Sequence, residues 1–273
     1  MLGSKRKKLV PFPRKIRAVC WTSLFLAILL AKLNTLDILG VPDVSLYSEV
    51  SLSVCIPAIF KDVRSGALER VVQSVRYQTV QPDKLIIVLT GVPSYEEVRT
   101  RRKLLRSARG INLTLVTHQT LQLQSESRNE GLSLAETDVV SFFDADDLMH
   151  ETRLKVIKQL FRDKDVSVVL HNYTTDFSDR NWARKAEDII VSNTKSVCDS
   201  ELRTRGRQIP LDICVHHAHV SVRRADLHGL RYDSSLALHR FEDSLFVRKF
   251  LAQVCPGPKK AIFVHNQLSL YNV

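Results

Sequence analysis

Beyond residue 50, short continuous apolar runs alternate with segments whose apolar residues follow a helical spacing. Such runs predict buried strands, and they occur at 52–56, 84–89, 112–117, 139–143, 166–170, 213–222 and 261–264. Between the first two runs, Leu68, Val71, Val72 and Val75 form one apolar helical stripe. Repeated alternation of this kind predicts an α/β fold, with a mostly parallel central sheet flanked by helices.

The fourth run ends abruptly in three carboxylates, at Asp144, Asp146 and Asp147. Ligands of open α/β sheets bind at the carboxyl ends of strands, and closely spaced like charges at a buried strand end need a compensating cation. Hard oxygen ligands suit Mg²⁺ or Mn²⁺ carrying a phosphorylated substrate. The alternative is an aspartate-rich turn that caps the following helix.

The net charge of +11 is concentrated at one end of the chain. Seven lysines and arginines lie within residues 1–17, a stretch without acidic residues, so the remaining chain carries only about +4. No nucleic-acid-binding motif accompanies the charge. The composition therefore predicts no nucleic-acid partner.

An uncharged segment, 18–31, directly follows the basic stretch. A signal anchor over 18–36, with Lys32 reaching the interface, fits this arrangement best; a cleaved signal peptide and a buried core helix are the alternatives. The predicted organisation is a cytoplasmic tail at 1–17, a transmembrane helix at 18–36, a stem at 37–50 and one domain at 51–273. The protein would then be a single-pass type II membrane protein of the Golgi or endoplasmic reticulum, with its domain in the lumen.

The cysteines and asparagines give weaker information about the compartment. None of the five cysteines forms a CxxC pair, which argues against a zinc site. A lumenal domain would allow one or two disulfides, and buried free thiols are equally compatible with the spacing. Glycosylation sequons begin at Asn112 and Asn172 and favour a secretory lumen.

Five short motifs follow one another along the chain: Ser53-Val-Cys-Ile-Pro57, Gln78 with the strand 84–88 after it, Arg128-Asn129-Glu-Gly131, Asp144-Ala-Asp146-Asp147, and Glu242-Asp243. Their order resembles the family-2-type glycosyltransferases with the GT-A fold, over roughly residues 51–251. The resemblance implies a nucleotide-sugar donor and a glycan, protein or lipid acceptor. It also implies inverting transfer assisted by a divalent cation, Mn²⁺ or Mg²⁺.

The same resemblance assigns roles to individual residues. Asp146 would be the direct metal ligand, and Asp144 would contact the ribose or a metal-bound water. A late histidine, His265, is a candidate third metal ligand. The remaining assignments place Arg128 and Asn129 on the donor, Asp243 as the base that deprotonates the acceptor hydroxyl, and Glu242 beside the acceptor.

Two features leave alternatives open. Family members often place an acidic residue at the end of the second strand to read the nucleotide base, whereas this chain has Thr90-Gly91 there. A non-catalytic GT-A-like protein that binds carbohydrate or nucleotide is therefore the alternative function. His216, His217 and His219 are either a metal site or hydrogen-bonded histidines that line the acceptor cleft. The chain lacks a late Gln-x-x-Arg-Trp motif, which argues against a processive synthase.

Overall fold

A computed structural model describes residues 50–175, 194–198, 219–238 and 241–271 of the chain. The chain divides into two units, 1–48 and 49–273. The predicted tail and anchor, the stem up to residue 49, His216 and His217 lie outside the described residues. In the described part, no helix is both long and apolar enough to cross a membrane.

The first half of the domain consists of alternating strands and helices. In chain order these elements are β1 (Leu52–Ile59), α1 (Phe60–Ser65), α2 (Ala67–Arg76), β2 (Lys84–Thr90), α3 (Ser94–Ser107), β3 (Leu113–Thr117), α4 (Gln124–Leu134) and β4 (Val139–Phe142). Their strands are all parallel and lie in the order β3-β2-β1-β4. We call this the parallel half, and here the predicted parallel sheet is confirmed.

The second half contains β5 (Leu148–Met149), α5 (Arg153–Phe161), β6 (Val166–Thr174), β7 (Thr194–Ser196), β8 (Val220–Arg223), α6 (Glu242–Val254) and β9 (Lys260–Leu270). The sheet continues from β4 in the order β8-β6-β9-β5, with β7 also paired to β9. Strand β8 runs antiparallel to both β4 and β6, while β6 and β9 are parallel. We call this the mixed half, and a mostly parallel sheet is wrong for it, because an apolar run does not encode strand direction.

Pro57 does not end β1, which continues to Ile59 beside β2. Proline normally interrupts a sheet because it lacks the backbone N–H. Pairing of β1 with β4 stops at Cys55 and Phe142, where the amide of Phe143 donates to the carbonyl of Cys55. Alternate residues of a strand bond to opposite neighbours, so the nitrogen of Pro57 faces the side where β4 has already ended. The missing donor therefore costs no ladder hydrogen bond.

Apolar side chains cover both faces of the sheet. On one face, Val54 and Ile56 pack with residues of α1, α2, α3 and α5. On the other face, Cys55 and Phe142 pack with residues of α4 and α6. Because both faces are buried, the strands read as continuous apolar runs rather than as alternating patterns.

Helix α4 approaches β1 so closely that only glycine fits at the contact. A Cβ on Gly131 would overlap the sulfur of Cys55. Burial raises the pKa of the Cys55 thiol to about 12, which keeps it protonated, although Arg128 opposes the shift. The glycine of the Arg128-Asn129-Glu-Gly131 motif thus brings the helix that carries Arg128 against the central strand.

The cysteines divide between the two expected states. Cys198, after β7, and Cys255, at the end of α6, form a disulfide, whereas Cys55 is a buried free thiol. The disulfide joins two segments of the mixed half that are separated by 57 positions.

Candidate active site

The turn after β4 carries the three predicted aspartates, which we call the aspartate turn (Asp144, Asp146 and Asp147). Asp144 is 8% exposed, Asp147 is fully buried, and Asp146 is exposed. Because β4 is parallel to β1, the turn lies at the carboxyl ends of both strands, where open α/β sheets bind ligands. Of the three carboxylates, that of Asp146 is the most accessible to a ligand.

Arg128 connects the aspartate turn to the start of α6. Its guanidinium is fully buried; Nη2 donates to Asp144 Oδ1 at 3.0 Å and Nη1 donates to Glu242 Oε1 at 3.1 Å. Burial disfavours the charge, yet Asp144, with Tyr232 and Glu242, raises the pKa of Arg128 above its usual value. The structure thus brings together three predicted site residues that lie far apart in the sequence.

The ring of Tyr232 faces the guanidinium of Arg128. Its ring centroid lies 5.5 Å from the guanidinium carbon of Arg128, and its ring stacks on Phe246 at 4.0 Å. Burial raises the pKa of Tyr232 well above the usual value, so the phenol stays neutral. The aromatic stack ties Arg128 to the buried face of α6.

Asn129 binds the backbone rather than the charged cluster. Its Nδ2 donates to the carbonyl of Tyr232 at 2.9 Å, and its Oδ1 accepts from the amide of Tyr232 at 2.8 Å. The side chain therefore holds the segment that places the Tyr232 ring beside Arg128. Its observed contacts are those of a positioning residue.

Glu242 and Asp243 occupy the first turn of α6 and are 3% and 6% exposed. Backbone N–H groups and the helix dipole stabilise negative charge at this end of a helix. Arg128 binds Glu242 through Oε1, and Glu242 Oε2 accepts no hydrogen bond within the described residues. The two carboxylates thus have different surroundings although they are adjacent in sequence.

Two cavities open at the carboxyl ends of β1 and β2. The smaller, about 190 Å³, is lined by residues that include Ile59, Lys61, Asp62, Ser127 and Asp146. The larger, about 590 Å³, shares Ile59 and Lys61 with it and reaches Thr90 and Gly91. The end of β2, which lacks the expected carboxylate, therefore borders the larger cavity.

The model of "Glycosyl transferase family 2" matches residues 53–228, more than half of the chain. The chain belongs to this family. The matched region contains Arg128 and the aspartate turn and ends before Glu242. Comparison with curated proteins finds no match.

Solved structures share the fold of this family-2 chain at low sequence identity. S. aureus TarS 1-349 in complex with UDP has a TM-score of 0.58 and 16% identity, covering 82% of this chain and 60% of its own. Mannosyltransferase PcManGT from Pyrobaculum calidifontis, with GDP-Man and Mn²⁺, has a TM-score of 0.52 and 18% identity, covering 92% and 65%.

Glucosyl-3-phosphoglycerate synthase from Mycobacterium tuberculosis, with Mg²⁺ and UDP, has a TM-score of 0.54 and 14% identity, covering 82% and 72%. This chain therefore spans about 60% of TarS 1-349, the first of the three. At these identities the likeness shows a GT-A-like fold, an α/β mixed sheet with flanking helices.

The carboxylates of the aspartate turn are the kind of oxygen ligand that Mg²⁺ and Mn²⁺ prefer. Within the described residues, no three His, Cys, Asp or Glu side chains could hold a metal together. Mg²⁺ commonly takes one or two protein carboxylates and completes its shell with water and substrate phosphates, so Asp144 and Asp146 fit such a cation. His265 is exposed, packs edge-on against Phe263 at 5.0 Å, and is not grouped with them.

A second buried arginine, Arg153, contacts the end of β4, the strand that leads into the aspartate turn. Arg153 is fully buried; its Nη2 donates to the carbonyl of Phe142 at 3.2 Å and its Nε donates to His171 Nε2 at 2.9 Å. Burial lowers the pKa of Arg153 to about 9, opposed by Asp147. Since His171 Nε2 accepts, Nδ1 carries the proton and donates to the carbonyl of Asn172 at 3.0 Å.

Of the predicted histidine cluster, only His219 lies in the described residues. It is 1% exposed, and its ring centroid lies 4.9 Å from that of His171 and 5.0 Å from that of Tyr173. These ring contacts place His219 against β6, and both roles predicted for the histidine cluster stay predictions.

Sequence reasoning missed two residues that surround the aspartate turn. Tyr271 follows β9, and burial, together with the charges of Asp147, Asp146 and Asp144, raises its pKa. Asp62, in the first turn of α1, lines the small cavity with Asp146. Hydrophobic spacing could not identify either residue, since each comes near the turn only through the pairing of distant strands.

Proposed function

We propose that this family-2 protein is an inverting, metal-assisted glycosyltransferase that moves a sugar from a nucleotide-sugar donor to a hydroxyl acceptor. The observation that carries the proposal is the buried bridge from Asp144 through Arg128 to Glu242. It joins the carboxylate turn suited to a donor diphosphate to the helix that carries the proposed base.

The donor side of the site is the aspartate turn. Asp146, with Asp144, would hold a divalent cation, and that cation would neutralise the charge that develops on the leaving diphosphate. Mn²⁺ or Mg²⁺ accompanies a nucleotide or nucleotide sugar in two of the similar structures. The acceptor is a glycan, protein or lipid hydroxyl.

The acceptor side is the start of α6. Asp243 is the proposed base, which takes the proton of the acceptor hydroxyl as that oxygen attacks the anomeric carbon. The helix dipole favours the ionised carboxylate that a base requires. Glu242 is paired with Arg128 and holds the start of α6, which carries Asp243, in place.

Arg128 and Asn129 support the site by positioning. Arg128 pairs two carboxylates that would otherwise be buried without compensation, and Asn129 fixes the Tyr232 backbone beside it. The sequence predicted a direct contact between Asn129 and the donor. We propose instead an indirect role, in which Asn129 holds Tyr232 beside Arg128.

We propose in addition that the domain works in the lumen of the Golgi or endoplasmic reticulum, held by a type II anchor at 18–36. The Cys198–Cys255 disulfide favours an oxidising compartment. A protease-protection assay on sealed microsomes tests this, since a lumenal domain resists protease until detergent is added. Degradation without detergent would contradict it.

A non-catalytic nucleotide- or carbohydrate-binding protein is the second candidate. The observation that favours it is the end of β2, where Thr90 and Gly91 stand in place of a carboxylate. Binding of a nucleotide sugar without turnover would distinguish this candidate from the enzyme.

The deciding experiment measures release of nucleoside diphosphate from a panel of nucleotide sugars by the detergent-solubilised full chain, with and without Mn²⁺. We expect Mn²⁺-dependent turnover that Asp146→Asn abolishes. Asp165→Asn, at an exposed surface carboxylate, is the matched control and should turn over normally. NMR of the product's anomeric proton tests inversion, and a retained configuration would contradict that part.

A further inference from the structure

The outer side of α3 combines basic and apolar side chains. Arg99, Arg102 and Arg106 lie three and four positions apart, so they follow one side of the helix. Three large apolar side chains occupy the same side: Tyr95, Val98 and Leu105, which are 83%, 60% and 53% exposed. The opposite side, with Leu104, is buried against the sheet. We call these six exposed residues the basic face.

Two neighbouring cations of α3 are used inside the fold. Arg101 donates from Nη1 to the carbonyl of Leu115 at 3.3 Å, which ties α3 to β3. Lys103 pairs through Nζ with Oε1 of Glu69, on α2, at 2.5 Å. These contacts fix the orientation of the helix and leave the arginines of the basic face pointing outward.

The positive charge of the basic face has little compensation. Arg99 lies 3.9 Å from Glu96, a surface contact that contributes little, while Arg102 and Arg106 form no ion pair with a described residue. The sequence from 98 to 125 contains six lysines and arginines and no acidic residue. An acidic partner would therefore meet no repulsion along this side of the helix.

A cavity of about 500 Å³ opens beside the basic face, between α1 and α3. Its lining includes three basic and three apolar side chains: Arg64, Arg99, Lys103, Phe60, Val63 and Tyr95. Glu96 also lines it. The cavity has the size of a small-ligand site, and it offers cations for a phosphate together with apolar surface for the group attached to that phosphate.

This mixture of side chains matches a phospholipid surface better than a soluble polyanion. A guanidinium binds phosphate oxygens, and tyrosine is favoured at membrane–water interfaces because its ring is apolar and its hydroxyl is polar. A soluble polyanion would satisfy the arginines, but it would leave Val98 and Leu105 in water. Burial of these two side chains in the interfacial layer of a membrane is favourable.

The position of α3 in the fold is compatible with a membrane on this side. The helix leads back from the carboxyl end of β2 to the start of β3, so Arg106 lies near the amino ends of the strands. Strand β1 begins at that edge, where the Leu52 amide donates to Asp83 Oδ2 at 2.7 Å. A chain anchored at 18–36 therefore enters the domain at the edge where the basic face ends. Helix α6 packs on the other face of the sheet and stays uncovered.

We propose that the basic face of α3 binds the surface of an anionic phospholipid membrane. The arginines contact lipid phosphates, and Tyr95, Val98 and Leu105 enter the interfacial layer, while the helix lies along the surface without crossing it. The inference goes beyond the proposed function, because surface binding does not require sugar transfer.

The test maps solvent access to the basic face in the full chain. The chain is reconstituted into vesicles of phosphatidylcholine alone, or of phosphatidylcholine with phosphatidylserine. Hydroxyl-radical footprinting with mass spectrometry then measures the oxidation rates of Tyr95 and Leu105. Phe241, which is 64% exposed at the start of α6, is the internal control.

We expect oxidation of Tyr95 and Leu105 to be several-fold slower on the vesicles that contain phosphatidylserine, with Phe241 unchanged. At about 1 M NaCl the Debye length shortens to about 3 Å, so this protection should be lost.

Replacing Arg99, Arg102 and Arg106 together by glutamine should abolish the difference between the two kinds of vesicle. The matched control replaces three exposed cations elsewhere by glutamine, at Arg162, Lys164 and Arg248, and should keep the difference. An unchanged melting temperature verifies that both variants fold. If the variant of the basic face fails to fold, the salt dependence of the wild type still decides.

Three results would overturn the inference. They are equal oxidation of Tyr95 on both kinds of vesicle, protection that persists at high salt, and protection that survives the triple substitution in a folded protein. Protection by soluble heparin without protection by phosphatidylserine would assign the face to a sulfated glycan and would also overturn it. Turnover of nucleotide sugars in detergent tests the proposed function separately, so the two can fail independently.

Discussion

The parallel half and the mixed half of the sheet are assembled over different distances along the chain. In the parallel half, two pairings join strands that are close in sequence, as where Leu85 pairs with Leu113, and the third joins Leu52 of β1 to Val139 of β4. In the mixed half, Leu148 pairs with Leu270, near the end of the described chain. The aspartate turn depends only on elements up to β4, whereas α6 and Tyr271 come from the last part of the described chain.

The two halves meet at Arg128. This residue belongs to α4 of the parallel half and binds Asp144, while its second contact, Glu242, belongs to the mixed half. One buried cation thus links the proposed donor side, built from the first half of the domain, to the proposed acceptor side, built from its last elements. Each of the following changes weakens one half, or the link between them.

Arg128→Met should have the largest effect, because it leaves Asp144 and Glu242 buried without their cation. We expect a loss of about 3–5 kcal/mol in the free energy of unfolding and loss of sugar transfer, measured by urea denaturation and turnover. Arg102→Met, at an exposed position of α3, is the control and should stay within about 0.5 kcal/mol of wild type. Near-wild-type stability of Arg128→Met would refute the link.

Replacing both Cys198 and Cys255 by alanine should destabilise the mixed half selectively. A disulfide that closes a loop of this length contributes about 2–4 kcal/mol. Hydrogen exchange should accelerate in β7 and α6 while the amides of β1, β2 and β3 keep their protection. Equal acceleration in both halves would show that they unfold as one unit and would remove the distinction.

Gly131→Ala tests the parallel half, because the new methyl group would overlap the sulfur of Cys55. Overpacking of this kind costs about 1–3 kcal/mol, and chemical denaturation measures it. Gly257→Ala is the matched control, since its nearest atom would lie at an ordinary 3.6 Å. In combination with Cys55→Ala the cost should shrink; full additivity of the two changes would contradict the proposed contact.

The pH dependence of stability should reveal His171 in the mixed half. Burial first, and then the charge of Arg153, hold its pKa well below 6.5, partly opposed by the Asn172 carbonyl. Below pH 6.5 the unfolded chain therefore binds the proton more readily, so stability falls as the pH falls, by up to about 1.4 kcal/mol per pH unit.

Urea denaturation from pH 7 to pH 5 measures this slope. His171→Gln should flatten the slope, whereas His228→Asn, at an exposed histidine, should leave it unchanged. An identical slope in wild type and His171→Gln would assign the pH dependence to other groups.

Sequence reasoning was most successful where structure is local. The apolar runs identified β1, β2, β3 and β4, and the abrupt change from Phe143 to Asp144 correctly marked the end of a strand. The run at 52–56 was shorter than β1, which continues past Pro57 to Ile59, because the cost of a missing N–H depends on whether a neighbouring strand is present. Hydrophobic spacing also gave no sign that Leu148 and Met149 pair with β9 before α5 begins at Arg153.

The sequence by itself determined the α/β class, the strand that delivers Asp144 and Asp146, and the family resemblance, because these depend on spacing within short segments. Only the tertiary structure decided the direction of β8, the pairing of Cys198 with Cys255, the contacts of Arg128 and the place of Asp62. The physical reason is that burial and charge pairing depend on distances in space, and an apolar run or an isolated carboxylate does not specify which remote side chain lies beside it.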